Sequence, residues 1–257
     1  MKGRLLAMDV GNTQIGLGVY EEGRWLGRFR IRTVVDRTPD EYGVLIRELL
    51  ARLGLSPEGL DRAILGSVVP PVTEALESLL QGWLGRVPLV VGPGVRTGLD
   101  IRVDQPSEVG ADLVAGAVAA FDRFGGACLV VDFGTATTFT GVDPAGCLVG
   151  VAIAPGLATA ADALSKRAAL LPEVPLQPPP RALGRNTREA MQSGLVFGYV
   201  GLVRELIRRL RAELVPTARV IATGGHAAVI APLVEEIDAV DPWLTLEGLR
   251  LIADRNP

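Results

Sequence analysis

Residues 4–11 read RLLAMDVG, and residues 127–134 read ACLVVDFG. Each stretch is an apolar run that ends in Asp-x-Gly, and the two aspartates, Asp9 and Asp132, lie 123 positions apart in a chain of 257 residues. Self-similarity at a fixed offset is the signature of an internal repeat. The sequence therefore predicts one structural unit built twice. Further pairs match without a gap at this offset: Gly11 with Gly134, Gly18 with Gly141, Val19 with Val142, Gly23 with Gly146, and Gly27 with Gly150.

Each copy of the repeat predicts a meander of three strands. The apolar run is typical of a buried strand, and a short polar turn, a second strand, a glycine-bearing turn and a third strand follow it. Helical periodicity and further strands come next in both halves. This order indicates an α/β fold with mixed sheets flanked by helices. We place the two domains at residues 1–118 and 119–257.

Several elements outside the meanders follow from apolar spacing and from turn residues. We expect a helix from about Ser107 to Phe124, an amphipathic helix over Thr159–Leu171, a surface loop over Pro172–Pro180, a helix over Thr187–Leu214, a strand over Arg219–Thr223 and a helix over residues 226–236.

Composition excludes several classes of protein. The formal net charge is −3, and a mildly acidic chain lacks the concentrated basic patch that nucleic-acid binding needs. The two cysteines, Cys128 and Cys147, form no CxxC pair, which argues against a cysteine metal site or disulfide framework. No apolar run approaches the ~20 residues of a membrane span, and the first one is too short for a signal peptide. We therefore expect a soluble, cytoplasmic protein with no nucleic-acid or membrane partner.

The two Asp-x-Gly turns are candidates for phosphate binding. Glycine lets backbone N–H groups approach phosphate oxygens closely, and a carboxylate can hold a cation that bridges to phosphate. The sequence contains neither a P-loop nor a GxGxxG segment after a strand. A single such turn is equally a structural turn, but its duplication favours a phosphate cradle, as in the acetate and sugar kinase, Hsp70 and actin superfamily that this pattern resembles. Additional donors would be the hydroxyls of Thr13, Thr135, Thr137 and Thr138.

Asp112 is the best remaining acid for a general base. Phosphoryl transfer to an alcohol benefits from a carboxylate that orients the hydroxyl and accepts its proton. Within PSEVGAD, residues 106–112, Ser107 is predicted to cap a helix with Gly110 early in it, so that Asp112 lies within the first two turns. The alternative is an aspartate that merely complements the helix dipole.

Seven short motifs together resemble the type III pantothenate kinases. They occur in one order with fitting spacing over nearly the whole chain. They are DVGNT at 9–13, SVVP at 67–70, PSEVGAD at 106–112, DFGTATT at 132–138, PG at 155–156, GRNT at 184–187 and TGG at 223–225. The resemblance implies duplicated ribonuclease H-like domains of the actin and hexokinase type, with mixed five-stranded sheets and an ATP cleft between them. It also implies ATP-dependent phosphorylation of pantothenate, Mg²⁺, and a homodimer.

The resemblance also implies roles for individual residues. Asp112 would be the general base, and Asp132 would bind a monovalent cation, K⁺ or NH₄⁺. Thr135 would contact ATP, and Thr187 would contact pantothenate, from the partner subunit. The pantothenate pocket would be lined by Gly110, Ala111, Asp112 and Leu113. The first nucleotide-binding loop would comprise Asp9, Val10, Gly11, Asn12, Thr13, Gln14, Ile15 and Gly16.

Departures from the family pattern leave alternatives open. The family usually has arginine where this chain has Leu113, and tyrosine where it has Val103; a glycine pair is usual where it has Gly150-Val151. Leucine cannot pair with a substrate carboxylate. The alternatives are a kinase for another small alcohol, a polyphosphate hydrolase, and a non-catalytic regulator that binds nucleotide or pantothenate. The arginines that could compensate are Arg102, Arg181 and Arg185.

Two further features have simple structural interpretations. Asn186 with Glu189 three positions later is typical of a capping box, which explains the start of the following helix without a ligand. His226, the only histidine, could contact nucleotide after the TGG turn, but we interpret it as a residue in the first turn of a helix.

Overall fold

The computed structural model describes residues 3–257. Within this range the strands are β1 (Leu5–Val10), β2 (Gln14–Glu21), β3 (Arg24–Arg32), β4 (Arg62–Ser67), β5 (Leu89–Val90), β6 (Asp100–Ile101), β7 (Cys128–Phe133), β8 (Ala136–Val142), β9 (Cys147–Pro155), β10 (Arg219–Thr223) and β11 (Ala239–Val240). The α-helices are α1 (Pro39–Ala51), α2 (Pro70–Leu84), α3 (Ala111–Phe124), α4 (Leu157–Arg167), α5 (Thr187–Gln192), α6 (Gly198–Glu213), α7 (Ala227–Ile230) and α8 (Leu244–Arg255). Short 3₁₀ turns lie at Pro57–Gly59, Pro106–Glu108 and Ala231–Leu233, and a π-helical turn lies at Ser193–Phe197.

The two sheets share one strand order. The first sheet runs β3-β2-β1-β4-β5, with β1 antiparallel to β2 and parallel to β4. The second repeats this order and these directions as β9-β8-β7-β10-β11. The predicted α/β class and the duplication are confirmed. The second sheet also has one strand more than predicted in the described range, because the two-residue β6 pairs in parallel with β9.

The hairpin turn after the first aspartate is one residue longer than its counterpart. Val10 pairs with Ile15 across the first turn, whereas Phe133 pairs with Thr137 across the second. The second strands of the two meanders therefore correspond to each other with a shift of one position relative to the gap-free alignment. A turn can gain or lose a residue while the strands that it joins keep their pairing.

This difference corrects part of the sequence alignment. The structural counterpart of Gly141 is Val19 rather than Gly18, because each faces the same position of its aspartate strand. The strand irregularities agree with this assignment, since they fall between Val19 and Tyr20 in β2 and between Gly141 and Val142 in β8. The predicted matches of Gly18 with Gly141 and of Val19 with Val142 are wrong by one residue.

The offset of 123 returns in the third strands. Gly23 and Gly146 both occupy the turn before the third strand with positive φ, at 85° and 81°. Glycine is the residue that adopts this conformation without steric cost. Gly27 and Gly150 then face equivalent positions of the second strands. These two matches are confirmed.

The first compact unit comprises residues 3–98, 104–119 and 244–257. Helices α1 and α2 cover one face of its sheet, where the aliphatic side chains of Met8, Leu17, Ile46 and Leu76 are fully buried. An aliphatic core of this kind is what the low aromatic content requires. The domain limits at 118 and 119 remain a prediction.

The last helix, α8, belongs to the first unit although it ends the chain. The indole Nε1 of Trp25 donates to Glu247 at 2.9 Å, and Arg250 forms an ion pair with the same carboxylate at 2.6 Å. Gly248 lies so close to the backbone of Ala115 that a β-carbon at this position would overlap it. The close approach fixes α8 against α3.

The second compact unit comprises residues 99–103 and 120–243. Its core lies between β7, β10 and α6, where Leu129, Val203 and Val220 are fully buried. No helix within residues 3–257 is long and apolar enough to cross a membrane.

The helix that carries Asp112 begins later than predicted. Residues Pro106–Glu108 form a separate 3₁₀ turn, and α3 begins at Ala111. The N–H of Val114 donates to the carbonyl of Gly110 at 3.1 Å, so Gly110 occupies the capping position and the predicted cap at Ser107 is wrong. Pro106 is compatible with a separate turn before α3, because proline fits the first position of a short helical turn.

Other predicted elements are present with altered limits. The strand Arg219–Thr223 is confirmed, and residues 172–180 contain no helix or strand. The long helix predicted over Thr187–Leu214 is divided into α5 and α6 by the π-helical turn Ser193–Phe197. The predicted helix at 226–236 is shorter, since α7 ends at Ile230 and a 3₁₀ turn follows.

Candidate functional site

The first aspartate hairpin lies at the carboxyl end of β1. Asp9 is half-buried and pairs with Gly16 on β2 and with Gly66 on β4. Gly11 closes the turn by donating its N–H to the carbonyl of Gln14 at 3.0 Å. The predicted nucleotide loop, residues 9–16, is therefore one continuous strand–turn–strand segment whose tip, residues 12–14, is exposed.

Asp132 occupies the same place in the second unit as Asp9 does in the first. Each is the last residue but one of its strand. The Asp132 Oδ1 atom lies against Gly224, whose φ is 91°, and a β-carbon at Gly224 would overlap it. The TGG turn after β10 therefore packs directly on this carboxylate, and only a glycine there leaves the carboxylate its space.

The carboxylate of Asp132 is a ligand type that suits a hard cation. A carboxylate and backbone carbonyls are oxygen ligands, which alkali and alkaline-earth cations prefer. Gly134 and Gly224 both lie beside Oδ1, and a β-carbon at either position would approach this oxygen. No group of three or more His, Cys, Asp or Glu side chains with metal-binding geometry occurs among residues 3–257.

The predicted threonine donors differ in accessibility. Thr13 and Thr135 lie exposed at the two hairpin tips, and Thr138 is half-buried. The Thr137 side chain is fully buried, and its hydroxyl is hydrogen-bonded to the hydroxyl of Tyr199. Thr137 therefore cannot donate to a bound phosphate, and that prediction is wrong; alternation along β8 turns this residue inward.

Asp112 is the second residue of α3, within its first turn. Its Oδ1 accepts a hydrogen bond from the N–H of Leu113 at 2.9 Å. The same oxygen lies over the Cα of Gly110, in the space that a β-carbon would need. Steric fit therefore accounts for the glycine in the GAD sequence, because glycine leaves room for the aspartate side chain to fold back over the start of the helix.

The pKa of Asp112 is raised above the ordinary aspartate value. Desolvation by burial is the main cause, and the hydrogen bonds from the backbone N–H groups of Leu113 and Asp112 oppose it. Desolvation disfavours the charged form of a carboxyl group. A raised pKa makes the carboxylate a stronger proton acceptor, which is the direction that a general base requires.

Val68 connects the Asp112 segment to the first hairpin. Its N–H donates to the carbonyl of Val10 at 3.1 Å, at the end of β1. Its side chain lies 3.4 Å from the place of a β-carbon at Gly110. The SVVP segment after β4 therefore lies between the two, and the structure brings the candidate base to the same edge of the sheet as the first loop.

Thr187 begins α5 in the second unit. The side chain of Asn186 caps this helix by accepting from the N–H of Glu189 at 2.9 Å, which confirms this half of the predicted capping box. The Glu189 side chain accepts from the backbone N–H of Arg185, one position before the cap residue. Thr187 also lines an open, mostly apolar groove of 540 Å³ between α4 and α5. Other residues that line this groove are Ala160, Leu164, Leu171, Ala190, Met191, Gly194 and Leu195.

The arginines that could compensate for Leu113 lie in the second unit. Arg102 is exposed and forms an ion pair with Asp100 at 3.3 Å. The backbone N–H of Arg185 donates to the side chain of Glu189, which holds the loop before α5. Arg181 is exposed.

His226 lies immediately before α7, whereas the sequence predicts it within the first turn of the helix. Its backbone N–H donates to the carbonyl of Phe133 at 3.2 Å, so the residue fastens the TGG turn to the end of β7.

Three residues at the site escaped prediction. Thr33 and Thr159 hydrogen-bond to the two hairpin tips, and Tyr199 holds Thr137. For Thr159 the sequence predicts only that it belongs to an amphipathic helix. No local pattern marks any of the three, because their partners lie 22 to 62 positions away in the chain.

Comparison with known proteins yields one family. A family model described as type III pantothenate kinase matches residues 5–209. A curated type III pantothenate kinase from Geobacter sulfurreducens is 49% identical over 252 residues, which cover 98% of this chain and 99% of that protein.

Two solved structures resemble the fold. A Baf family transcriptional activator from Campylobacter jejuni has a TM-score of 0.61 at 19% identity, with 98% of both chains covered. An inorganic polyphosphate/ATP-glucomannokinase from an Arthrobacter strain has a TM-score of 0.50 at 19% identity, with 99% of both chains covered. The second agrees with the predicted fold of the actin and hexokinase type.

Proposed function

The chain belongs to the type III pantothenate kinase family, and we propose on this basis that it transfers the γ-phosphate of ATP to the primary hydroxyl of pantothenate. The product is 4′-phosphopantothenate, and the reaction is the first step of coenzyme A biosynthesis. The observation that carries the proposal is the place of the Asp112 carboxyl. It lies over Gly110, next to Val68, and the N–H of Val68 donates to the carbonyl of Val10 at the end of β1. Burial raises the pKa of this carboxyl. A proton acceptor next to a phosphate loop is the arrangement that a kinase acting on an alcohol needs.

Asp112 has the role of general base in this proposal. Its carboxylate orients the pantothenate hydroxyl and takes the proton as the new P–O bond forms, while the bond between the γ-phosphorus and the bridging oxygen breaks and ADP leaves. The N–H of Leu113 fixes one carboxylate oxygen, which leaves the other for the substrate. Gly110, Ala111 and Leu113 would line the pantothenate pocket.

The hairpin tips bind the ATP phosphates in this proposal. Residues 9–16 form the first loop, and Thr135 contributes its exposed hydroxyl from the second. Exposed backbone N–H groups at a glycine-bearing turn are suited to anions. Mg²⁺ bound with ATP would neutralise phosphate charge. Asp132 would hold a monovalent cation, K⁺ or NH₄⁺, through its carboxylate.

Leu113 favours one competing function. An arginine would offer the pantothenate carboxylate a bidentate partner, and the half-buried leucine offers none. A chain with intact phosphate loops and a weak substrate pocket could bind nucleotide and act as a regulator.

We also propose a cytoplasmic homodimer in which Thr187 of one subunit contacts pantothenate bound by the other.

A substrate panel tests the function. ADP release is measured with Mg²⁺-ATP and pantothenate, or with other small alcohols, each with and without K⁺. The proposal predicts release that depends on pantothenate and rises with K⁺. Release with another alcohol alone would reassign the substrate, and calorimetric ATP binding without turnover on any alcohol would favour the regulator.

A further inference from the structure

Thr33 is bonded twice to the first hairpin tip. Its hydroxyl donates to the carbonyl of Gly11 at 2.6 Å, and its backbone N–H donates to the carbonyl of Thr13 at 3.0 Å. Thr33 follows the end of β3 directly, and its side chain is buried. One residue therefore fixes two of the carbonyl groups of the predicted nucleotide loop.

The second tip is fixed in the same way from the equivalent place. Gly156 follows the end of β9 directly, and its N–H donates to the carbonyl of Thr135 at 3.1 Å. A β-carbon at Gly156 would overlap the carbonyls of Gly134 and Thr135, so this position must be glycine. Gly156 has no side chain that could donate a second hydrogen bond, as the Thr33 hydroxyl does. Thr159 supplies this bond, because its hydroxyl donates to the Thr135 carbonyl at 2.7 Å.

These bonds determine where the loop N–H groups point. The peptide unit is planar and trans, so its C=O and N–H point in opposite directions. When the carbonyls of Gly11 and Thr13 are drawn toward Thr33, the N–H groups of Asn12 and Gln14 point away from it. The Thr135 carbonyl, held twice, turns the N–H of Ala136 away in the same manner.

We propose that Thr33 and Thr159 are positioning residues that hold the two hairpin tips with their N–H groups turned toward the phosphates of ATP. The inference deepens the proposed function and rests on it, because the ligand of the tips is ATP. Amide donors held in place before binding bind an anion without the cost of reorganisation. Neither threonine contacts the nucleotide, and each acts through a loop carbonyl.

Matched hydroxyl deletions test this inference. Thr33→Val and Thr159→Val remove the hydroxyl and keep the β-branched shape. Thr38→Val is the control, because the Thr38 hydroxyl caps α1: it accepts from the N–H of Glu41 and donates to the carboxylate of Glu41. KM values for ATP and for pantothenate, kcat, and the calorimetric Kd for ATP are measured for each variant.

We expect each test variant to raise the KM and Kd for ATP about tenfold, which corresponds to the loss of one hydrogen bond that orders the loop. The KM for pantothenate should stay within about twofold, on the same scale of effects. Thr33→Ser and Thr159→Ser should restore the affinity for ATP, because they restore the donor. Thr38→Val should lower the melting temperature without changing either KM.

Two results would overturn the inference while leaving the proposed function in place. One is ATP affinity in both valine variants equal to that of the wild type. The other is an equal rise of both KM values that serine does not reverse, which would indicate general loss of structure. Because Thr159 is exposed, its variant is expected to fold even if Thr33→Val does not. A wild-type chain that binds no ATP would refute the proposed function itself.

Discussion

The carboxylate of Asp112 lies over the Cα of Gly110, in the space that a β-carbon at that position would occupy. The two residues are therefore coupled, because the position of the candidate base depends on the absence of a side chain two positions earlier.

Gly110→Ala should displace the Asp112 carboxylate. We expect kcat to fall by about 10²-fold, because a displacement of about 1 Å in a reacting group reduces the rate on this scale. Gly82→Ala in α2 is the control, because nothing lies within 4 Å of its added β-carbon, and it should keep full activity. A Gly110→Ala variant with wild-type kcat would show that the position of Asp112 is unimportant.

Asp112→Asn should reduce kcat by about 10²-fold or more, the usual contribution of a general base. The wild-type rate should also fall on the acid side at a pH above the ordinary aspartate range, because the pKa of Asp112 is raised. A pH–rate profile of kcat/KM checks this limb. An acid limb that persists unchanged in Asp112→Asn would assign the titration to another group.

The same substitution should stabilise the fold at neutral pH. A raised carboxyl pKa means that the folded state binds the proton more tightly than the unfolded state, so stability is lost as the pH rises through the window between the two pKa values. At pH 7 the ionised Asp112 therefore opposes folding, and asparagine removes this charge. Urea titrations should show Asp112→Asn to be more stable at pH 7, with the difference shrinking toward pH 3. Lower stability of the variant at pH 7 would contradict the burial of this carboxylate.

Gly248→Ala should destabilise the protein, whereas alanine usually favours a helix. The added β-carbon would overlap the carbonyl of Ala115, and such overpacking costs about 1–3 kcal/mol. Gly201→Ala in α6 is the control; its β-carbon meets nothing within 4 Å, and it should gain up to about 1 kcal/mol in free energy of unfolding. Equal gains in both variants would show that α8 does not pack on α3 as described.

Leu113→Arg should strengthen pantothenate binding. A charge-assisted hydrogen bond to the substrate carboxylate contributes about 1.5–3 kcal/mol, so the KM for pantothenate should fall about tenfold or more while the KM for ATP stays the same. Leu113→Met is the control for side-chain length without charge. An unchanged KM in Leu113→Arg would mean that another residue already binds the carboxylate.

The sequence predicted the duplicated sheet because its signal is local. Asp9 and Asp132 end apolar strands, and glycines mark the turns, so the meanders could be inferred from short segments. The one-residue difference between the hairpin turns could not be inferred, since pairing of Val10 with Ile15 and of Phe133 with Thr137 is set by the sheet. The gap-free match of glycines concealed it.

The candidate base was predicted, but its surroundings were not. Asp112 stood out as an acid near a helix start, whereas the role of Val68 depends on the parallel pairing of β1 with β4, which are more than 50 residues apart. The placement of α8 in the first unit is of the same kind, because Trp25 and Glu247 meet across 222 positions. Long-range contacts of this sort leave no periodicity in the sequence.

The most direct test is the product formed from pantothenate and ATP. Wild type and Asp112→Asn are incubated with Mg²⁺-ATP, K⁺ and pantothenate, and mass spectrometry with phosphorus NMR identifies the phosphorylated position. We predict 4′-phosphopantothenate in equal amount to ADP with the wild type, and about 10²-fold slower formation with Asp112→Asn. No phosphorylated pantothenate from a wild-type chain that is folded and binds ATP would contradict the proposed function.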